Sequence, residues 1–493
     1  MVVLKTVRII ESQFPNRPGT VLFVSSYDDF ESLPEHTHSD VPVYYKQTIC
    51  VNLVKKVFTE SGLRSTKRDH MYSIRYGKAP PVETFKQLLP NQRVNHYLGT
   101  FALGCKSNLA RNLSALSRRF GNANFSFVPP TYLLPEEAAG LRKYVSDNKG
   151  NRYIRKPKSG ARGIGIRVLT EQELLDCTLS KLNCVVQKYI PSYLIDGLKF
   201  DCRLYVAVTS FDPLIIYCFD NGLARFATIP MSHSSRSTSR LMHLTNYSIQ
   251  KKAKNFVANN DLDNDGVGSK WSLVALMQRL EAEGHDTVVL WREIYDVLVK
   301  TVISAEGHIN TKVKMATLMK TPAFEVFGFD ILLDPNLKPY LLECNTSPSM
   351  NGASPLDKAV KSQMMSSLLT MLRLVPFNGD EVVSSIEAEK RARLFRPSSS
   401  RVTQRCSASS LNAENWFDNL THSELSVICD YEDELSLCRG WTPLFPCIDD
   451  SYDRYFTYPR HLNTVLRKWL IFKRRNHNCK EVLIQRLKLN KSY

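Results

Sequence analysis

Two short apolar runs separated by a turn constrain the fold of this sequence more than any other feature. Residues 326–333 (VFGFDILL) and 339–345 (PYLLECN) are typical of β-strands. The connection between them, residues 334–338 (DPNLK), is rich in turn-forming residue types. The sequence therefore predicts an antiparallel β-hairpin at this position.

The register of this hairpin brings three oxygen-bearing side chains together. A turn centred between residues 336 and 337 places Asp330 directly opposite Glu343. Because side chains alternate along a strand, Glu343 and Asn345 point to the same face. Two carboxylates at about 5 Å repel each other, and a hard cation such as Mg²⁺ removes that repulsion. These three residues are therefore the predicted metal ligands, and a polar hairpin edge that faces solvent is the alternative.

A glycine-rich segment predicts a loop that covers phosphate. Lys156 lies near the end of the strand-like run RYIRKP, and the sequence SGARGIGI follows at residues 159–166. Its glycines permit a tight loop whose backbone N–H groups approach a phosphate. The segment matches neither the P-loop nor the dinucleotide-binding fingerprint, and a strand-like run follows it. A flap between two strands fits it better, and an ordinary glycine-rich turn is the alternative.

A strand with one charged face is predicted at residues 199–204. Lys199, Asp201 and Arg203 alternate there with apolar residues, so they share one face of the strand. Such a face suits phosphate and ribose, and a solvated sheet face is the alternative. Upstream, an apolar run leads into residues 187–190 (QKYI), whose backbone groups suit the edge of an adenine ring.

Composition narrows the class of protein and the class of partner. The 493 residues, 43% of them hydrophobic, are enough for several domains with a buried core. The net charge of +17 favours a polyanionic partner. No helix-turn-helix, zinc or RNP-like pattern accompanies that charge, and neither a long apolar span nor a secretory signal is evident. We expect an intracellular protein that binds neither nucleic acid nor a membrane.

Hydrophobic periodicity and composition divide the chain. The sequence predicts helices over residues 106–120, 270–282, 288–305 and about 357–374, with β-rich runs between them. This mixture indicates an α+β fold. We predict an N-terminal segment at 1–40, a core domain at 41–383 with an N-terminal subdomain at about 41–110, a linker at 384–412, and a basic, aromatic C-terminal extension at 413–493.

Six motifs in combination resemble the tubulin tyrosine ligase-like family, and within it the polyglutamylase branch. They are KP at 156–157, ARGIG at 161–165, KFDxR at 199–203, HLTNYS at 243–248, FGFD at 327–330 and ExNxSPS at 343–349. The resemblance covers about residues 40–380. It implies an ATP-grasp fold, in which two α+β subdomains close on ATP. It also implies an ATP-dependent ligase that adds glutamate to the γ-carboxylate of glutamate side chains in tubulin C-terminal tails, through an acyl phosphate.

The resemblance also assigns residues, position by position. The ATP-binding residues it implies are Lys156, Arg162, Gly163, Gln187, Lys188, Tyr189, Ile190, Lys199, Phe200, Asp201, Thr245 and Asn246. For Mg²⁺ it implies Asp330, Glu343 and Asn345. For the incoming free L-glutamate it implies Arg162, Arg225, Tyr247, Ser248, Lys270 and Lys361. Arg225 and Lys270 are the candidate catalytic residues, because either would neutralise the α-carboxylate of glutamate or the developing oxyanion.

Two other functions stay open. A glycine ligase of the same family would use the same ATP-binding residues, although Arg225 and Lys270 favour glutamate. The other is a microtubule-binding protein whose ligase site is no longer active. Four intact residues argue against it: Lys156, Asp330, Glu343 and Asn345.

The resemblance also implies partners and a location. The expected partners are tubulin or microtubules, through their acidic tails, and free L-glutamate. The expected state is a monomer in the cytoplasm, on the microtubule cytoskeleton, with the cilium or basal body included. The C-terminal extension either lies on the acidic microtubule surface or packs on the core.

Overall fold

The computed structural model describes residues 6–158, 160, 163–231, 239–257, 259, 265–394 and 416–489. The strands are β1 Val7–Ile10, β2 Thr20–Leu22, β3 Thr37–Ser39, β4 Tyr44–Gln47, β5 Arg64–Ser65, β6 Tyr72–Tyr76, β7 Arg93–Asn95, β8 Thr131–Leu134, β9 Arg152–Pro157, β10 Arg167–Thr170, β11 Cys184–Lys188, β12 Leu194–Ile195, β13 Leu198–Phe211, β14 Leu214–Phe226, β15 Lys270–Ser272, β16 Ala323–Leu333, β17 Pro339–Asn345 and β18 Trp441–Phe445.

The helices lie between and after these strands. They are α1 Asn52–Glu60, α2 Val82–Gln87, α3 Phe101–Gly104, α4 Lys106–Phe120, α5 Ala138–Asp147, α6 Glu171–Leu175, α7 Arg240–His243, α8 Tyr247–Gln250, α9 Leu273–Ala282, α10 Thr287–Ala316, α11 Pro355–Met371, α12 Gly379–Leu394, α13 His422–Ser436, α14 His461–Arg475 and α15 Cys479–Leu489. Among the described residues, no helix has both the length and the apolar character needed to cross a membrane.

A large central sheet organises the molecule. Its strand order is β15-β14-β13-β16-β7-β6-β4-β5, and β12, β17 and β18 pair with β13, β16 and β14 respectively. The strands from β15 to β16 are antiparallel, whereas β7, β6 and β4 continue the sheet in the parallel sense. Alternate residues of β13 enter two different hydrophobic cores, with Tyr205 in one and Leu204 in the other. The long strands are therefore covered on both faces.

A second, smaller, four-stranded sheet contacts the central one through a hydrogen bond from Lys156 of β9 to Leu342 of β17. It is antiparallel, with the order β10-β9-β11-β8, and α5 and α6 help to enclose its own small core. The expected α+β class is confirmed. Two sheet-and-helix units on either side of a cleft agree with the ATP-grasp arrangement that the resemblance implies.

The two ends of the chain pack together on the central sheet. β18 pairs with β14, and the Trp469 side chain of α14 is fully buried. Asp433 of α13 accepts a hydrogen bond from Ser12 at 2.7 Å and forms an ion pair with Arg373 at 2.9 Å. The extension therefore packs on the core, which was one of its two expected positions. In the predicted linker, α12 extends to residue 394, and the rest of that segment lies outside the described residues.

Most predicted helices are present with altered ends. The helix predicted over 106–120 is confirmed as α4, and the one over 288–305 lies within the longer α10. The prediction of a helix from residue 270 is wrong at its start, because residues 270–272 form β15 beside β14. Ser272 then caps α9 by accepting a hydrogen bond from the backbone N–H of Ala275 at 3.0 Å.

Candidate active site

The predicted hairpin is formed by β16 and β17, and its register is the predicted one at the site. Asp330 pairs with Glu343, and Gly328 pairs with Asn345. A bulge after Asp330 shifts the pairing by one residue towards the turn and leaves Leu342 without a partner on β16. The Leu342 carbonyl instead accepts a hydrogen bond from Lys156 Nζ at 3.3 Å. The bulge therefore links the hairpin to the smaller sheet.

Asp330 is buried and held by two arginines. Its carboxylate accepts hydrogen bonds from Arg203 Nε at 2.6 Å and from Arg203 Nη2 at 3.1 Å, and it lies 2.9 Å from Arg225 Nη2. Arg225 also donates two hydrogen bonds to Asp201, at 2.6 and 2.7 Å. Burial opposes ionisation of Asp330, but the charges of Arg203 and Arg225 outweigh it and hold the pKa of Asp330 well below its usual range.

The other two predicted ligands lie at the open side of the hairpin. Glu343 forms an ion pair with Lys106, Oε2 to Nζ, at 3.1 Å. Asn345 Nδ2 donates hydrogen bonds to Glu343 Oε1 at 3.1 Å and to the Gly328 carbonyl at 3.2 Å. The Asn345 amide therefore uses its nitrogen to position Glu343, and its oxygen is the atom that could bind a metal ion.

The chemistry of this donor set fits Mg²⁺. The residues offer two carboxylates and an amide oxygen, and Mg²⁺ in nucleotide sites commonly takes one or two carboxylates together with phosphate oxygens and water. Within the described ranges there is no group of three or more His, Cys, Asp or Glu residues that could hold a metal ion. A magnesium ion at the hairpin would take its other ligands from phosphate oxygens or water.

A cleft of about 650 Å³ opens beside the hairpin, between the two sheets. It gathers most of the residues that were assigned to ATP and Mg²⁺ from the sequence. The predicted residues that line it are Lys156, Gln187, Lys188, Tyr189, Ile190, Lys199, Asp201, Thr245, Asn246, Asp330 and Glu343. They come from both sheets and from the α7–α8 segment, so only the folded chain brings them together.

Lys156 is the buried cation of this cleft. Its Nζ donates a hydrogen bond to Gln187 Oε1 at 2.6 Å. Burial lowers the pKa of Lys156 to about 8; Glu343 opposes this shift, while Lys106 and Lys199 add to it. An anion in the cleft would favour the protonated form, because a nearby negative charge raises the pKa of a lysine. Lys156 is therefore placed to bind a phosphate.

Tyr189 connects residues from several elements in the wall of the cleft. Lys199 Nζ donates to the Tyr189 hydroxyl at 3.2 Å and lies 4.6 Å from the centre of its ring. The same hydroxyl lies 2.9 Å from His243 Nδ1. These contacts join the residue that follows β11 to β13 and α7.

Three predicted nucleotide-binding residues stand apart from this set. The Phe200 ring is fully buried against Phe226, with ring centres 5.4 Å apart, so its side chain does not reach the cleft. Gly163 has φ of +70°, and a Cβ there would lie 2.6 Å from Ile249 Cδ1, so the loop requires glycine at that position. Arg162, also predicted for the incoming glutamate, lies outside the described residues.

The residues predicted for the incoming amino acid form a second cluster next to the cleft. Arg225 and Lys270 are direct neighbours on β14 and β15, and Arg225 bonds to Asp201 and Asp330 of the cleft wall. Lys270 Nζ lies 4.2 Å from the centre of the Tyr247 ring. The structure therefore joins the catalytic candidates to the nucleotide cleft.

The remaining two predicted substrate residues belong to the same region. Ser248 follows Tyr247 in α8, and Lys361 reaches the cluster from α11. Lys270 and Lys361 both lie against Asp357, at 2.6 and 3.3 Å. Burial lowers the pKa of Lys361 to about 8, although Asp357 opposes this shift.

Comparison with known proteins identifies the family of this chain. The sequence profile of the tubulin-tyrosine ligase family matches residues 84–381, which is more than half of the chain. The chain belongs to this family. It is similar at 35% identity over 483 residues to "Tubulin monoglutamylase TTLL4" of Homo sapiens, covering 94% of this chain and 40% of that protein. This chain therefore spans well under half the length of that relative.

Two further relatives have related names. "Tubulin polyglutamylase TTLL5" of Mus musculus is 32% identical over 437 residues, with 83% of this chain and 32% of that protein covered. "Tubulin polyglutamylase ttll-4" of Caenorhabditis briggsae is 33% identical over 480 residues, with 93% of this chain and 77% of that protein covered.

Sequence reasoning did not assign three charged residues that the structure places at the site of this family member. They are Arg203 on Asp330, Lys106 on Glu343, and Asp357 between Lys270 and Lys361. Arg203 had a signal, since it shares the charged face of its strand with Lys199 and Asp201. Lys106 had a signal through the resemblance, which matches it to a basic helix start in the family, with a capping or structural role as the alternative. Asp357 reads as an ordinary first-turn residue of a helix, so only its tertiary contacts distinguish it.

Proposed function

We propose that this chain is a Mg²⁺- and ATP-dependent ligase that adds glutamate to the γ-carboxylate of glutamate side chains in tubulin C-terminal tails. The observation that carries the proposal is the cleft, in which Lys156, Asp330 and Glu343 meet beside a cluster of buried cations. The names of the relatives, tubulin monoglutamylase and tubulin polyglutamylase, support tubulin as the substrate.

The cleft would activate the acceptor carboxylate, and the neighbouring cluster would bind the incoming amino acid. A carboxylate is a poor electrophile, and ATP, when bound, supplies the phosphoryl group that activates it. Lys156 would neutralise charge on the phosphates, and Asp330, Glu343 and Asn345 would hold Mg²⁺. Because Lys106 contacts Glu343 directly, binding of the metal would compete with that ion pair. Arg203 and Arg225 keep Asp330 ionised, which a metal ligand requires.

The neighbouring cluster supplies the site for the incoming amino acid. Arg225, Lys270 and Lys361 present three positive groups within a largely buried region. Free glutamate carries two carboxylates and glycine carries one, so this density of positive charge favours glutamate. Arg225 or Lys270 would also stabilise the oxyanion that forms when the amino group attacks the activated carbonyl carbon.

The net positive charge of the chain supports an acidic protein partner. The net charge of +17 suits the acidic tails of tubulin, and we place the protein on the microtubule cytoskeleton, including that of cilia. We further propose that it acts as a monomer. The catalytic domain we propose is residues 41–383, with its N-terminal subdomain at about 41–110. Residues 413–493 are the proposed C-terminal extension, of which the described part, residues 416–489, packs on this domain.

Incubation of the protein with ATP, Mg²⁺ and microtubules, with either labelled glutamate or labelled glycine, tests the proposal. We expect label from glutamate in tubulin, and none when the acidic tails have first been cleaved from the microtubules. Incorporation of glycine instead of glutamate would identify a glycine ligase. Microtubule binding without incorporation of either amino acid would identify a binding protein and refute the ligase assignment.

A further inference from the structure

A buried aspartate lies behind the proposed amino-acid site. Asp357 occupies the first turn of α11, where its backbone N–H donates to Ser354 Oγ at 3.1 Å. Its side chain is buried, with the residue only 1% exposed. A carboxylate without partners would be very unfavourable there, so its partners explain why an ionised side chain is retained.

Asp357 contacts two lysines, one on each oxygen. Lys270 Nζ, from β15, donates to Oδ2 at 2.6 Å, and Lys361 Nζ, one helical turn further along α11, lies 3.3 Å from Oδ1. Other contacts orient both lysines: Lys270 faces the Tyr247 ring, and Lys361 Nζ donates to the Asn351 carbonyl at 2.8 Å. One carboxylate therefore holds two ammonium groups side by side.

Two arginines lie near this trio, and both are already paired with aspartates. The other charged or titratable groups that face it from neighbouring strands and helices are Arg203, Tyr205, Arg225 and Tyr247. Arg203 and Arg225 already pair with Asp330, and Arg225 also pairs with Asp201. Among the described residues, Asp357 is the acidic group that forms ion pairs with Lys270 and Lys361.

We propose that Asp357 is a positioning residue for the incoming amino acid, which holds Lys270 and Lys361 together as a pair of cations that receive the substrate carboxylates. This inference rests on the proposed function. It adds a residue that acts through the two lysines and does not itself contact the substrate.

The protonation of Lys361 gives the inference a distinctive signature. Burial lowers the pKa of Lys361, Asp357 raises it, and Lys270 and Arg203 lower it further. Removal of the Asp357 charge therefore shifts loss of the Lys361 proton to lower pH. A neutral lysine binds a carboxylate poorly, so the affinity for glutamate should fall at a lower pH in the variant than in the unaltered chain.

The test compares Asp357→Asn with Asp357→Glu, which keeps the charge. For Asp357→Asn we expect the KM for glutamate to rise about tenfold at about pH 8.5, with less than about a threefold change at about pH 6.5, where Lys361 carries its proton more fully. The KM for ATP should change less than about twofold. Asp357→Glu should keep the pH profile of the KM for glutamate that the unaltered chain shows. Asp433→Asn is the matched control, because Asp433 is also buried and pairs with Arg17 and Arg373 far from this cluster.

A purely structural role for Asp357 would give a different result. The KM for glutamate would then rise equally at all pH values, or Asp433→Asn would shift the pH profile as much, and either outcome overturns the inference. If Asp357→Asn does not fold, the comparison moves to the background Lys361→Met. In that background, adding Asp357→Asn gives a chain that lacks one positive and one negative charge relative to the unaltered chain. The KM for glutamate should still be higher than in Lys361→Met alone, because Lys270 has lost its carboxylate partner. An equal KM in the two variants would refute the inference.

Direct binding separates this inference from the proposed function. Equilibrium dialysis of labelled L-glutamate, with Mg²⁺ and a non-hydrolysable ATP analogue, measures affinity without turnover. An unaltered chain that binds no glutamate contradicts the proposed function. An unaltered chain that binds glutamate, together with an Asp357→Asn variant of equal affinity at high pH, contradicts only the role of Asp357.

Discussion

The two carboxylates of the hairpin should respond very differently to removal of their charge. Asp330 is 2% exposed and compensates two buried guanidinium groups. Asp330→Asn leaves Arg203 and Arg225 without this partner, and breaking a buried pair in this way costs about 3–5 kcal/mol. Glu343 has a side chain that is 22% exposed and one lysine partner, so Glu343→Gln should cost less than about 1 kcal/mol.

Urea unfolding followed by tryptophan fluorescence measures both costs. We expect a large loss of unfolding free energy for Asp330→Asn and almost none for Glu343→Gln. Both variants should lose ATP-dependent incorporation of glutamate, because each removes a proposed Mg²⁺ ligand. Microtubule binding should survive in Glu343→Gln. Equal destabilisation by the two substitutions, or a fully active Glu343→Gln variant, would refute the reasoning.

The pH dependence of stability offers an independent check on Asp330. Its folded-state pKa lies below the unfolded value of about 4, so ionised Asp330 contributes stability above that pH. This contribution is lost as the pH falls through the folded-state pKa. In Asp330→Asn the corresponding acid-side slope should be reduced, whereas in Glu343→Gln it should persist.

Four further outcomes follow from single residues. Lys156 has a pKa of about 8, so the affinity for an ATP analogue should fall as the pH rises above that value, and Lys156→Met should abolish this dependence in calorimetry. Phe200→Leu should leave nucleotide affinity within about twofold while costing less than about 1.5 kcal/mol of stability, because the ring lies in the core. Gly163→Ala should weaken ATP binding, since a Cβ would lie 2.8 Å from Asn246 Oδ1; unchanged affinity would contradict the loop geometry. Trp469→Ala should destabilise the whole protein by about 3–5 kcal/mol in urea unfolding, as the extension shares a core with the N-terminal strands.

The packing of the extension also changes how its role must be tested. Truncation before β18 removes a strand that pairs with β14, and it also removes Trp469 and so uncovers the core that this side chain covers. Such a truncation should lower stability whatever the extension does on microtubules. Charge-reversing substitutions of exposed lysines and arginines on α14 separate the two effects, because they preserve packing and alter only the surface.

Local sequence determined the parts of this protein that depend on spacing along one segment. The strand period and the turn residues fixed the pairing of Asp330 with Glu343, and the apolar period fixed α4. The resemblance then supplied residues for the cleft, and eleven of them line it. The bulge that frees the Leu342 carbonyl had no comparable signal, because its neighbours fit either register.

Only the tertiary structure decided how the charges are paired. Arg203 lies 127 positions from Asp330 in the chain, and Lys270 lies 87 positions from Asp357. Lys106 at a helix start similarly meets Glu343 on the hairpin. The default expectation for a charged residue in a sequence is exposure to solvent. The neighbouring residues do not indicate which oppositely charged residue would pair with it in a buried position. That choice is made when sheets and helices pack, because a buried charge remains ionised only where the fold brings it a partner.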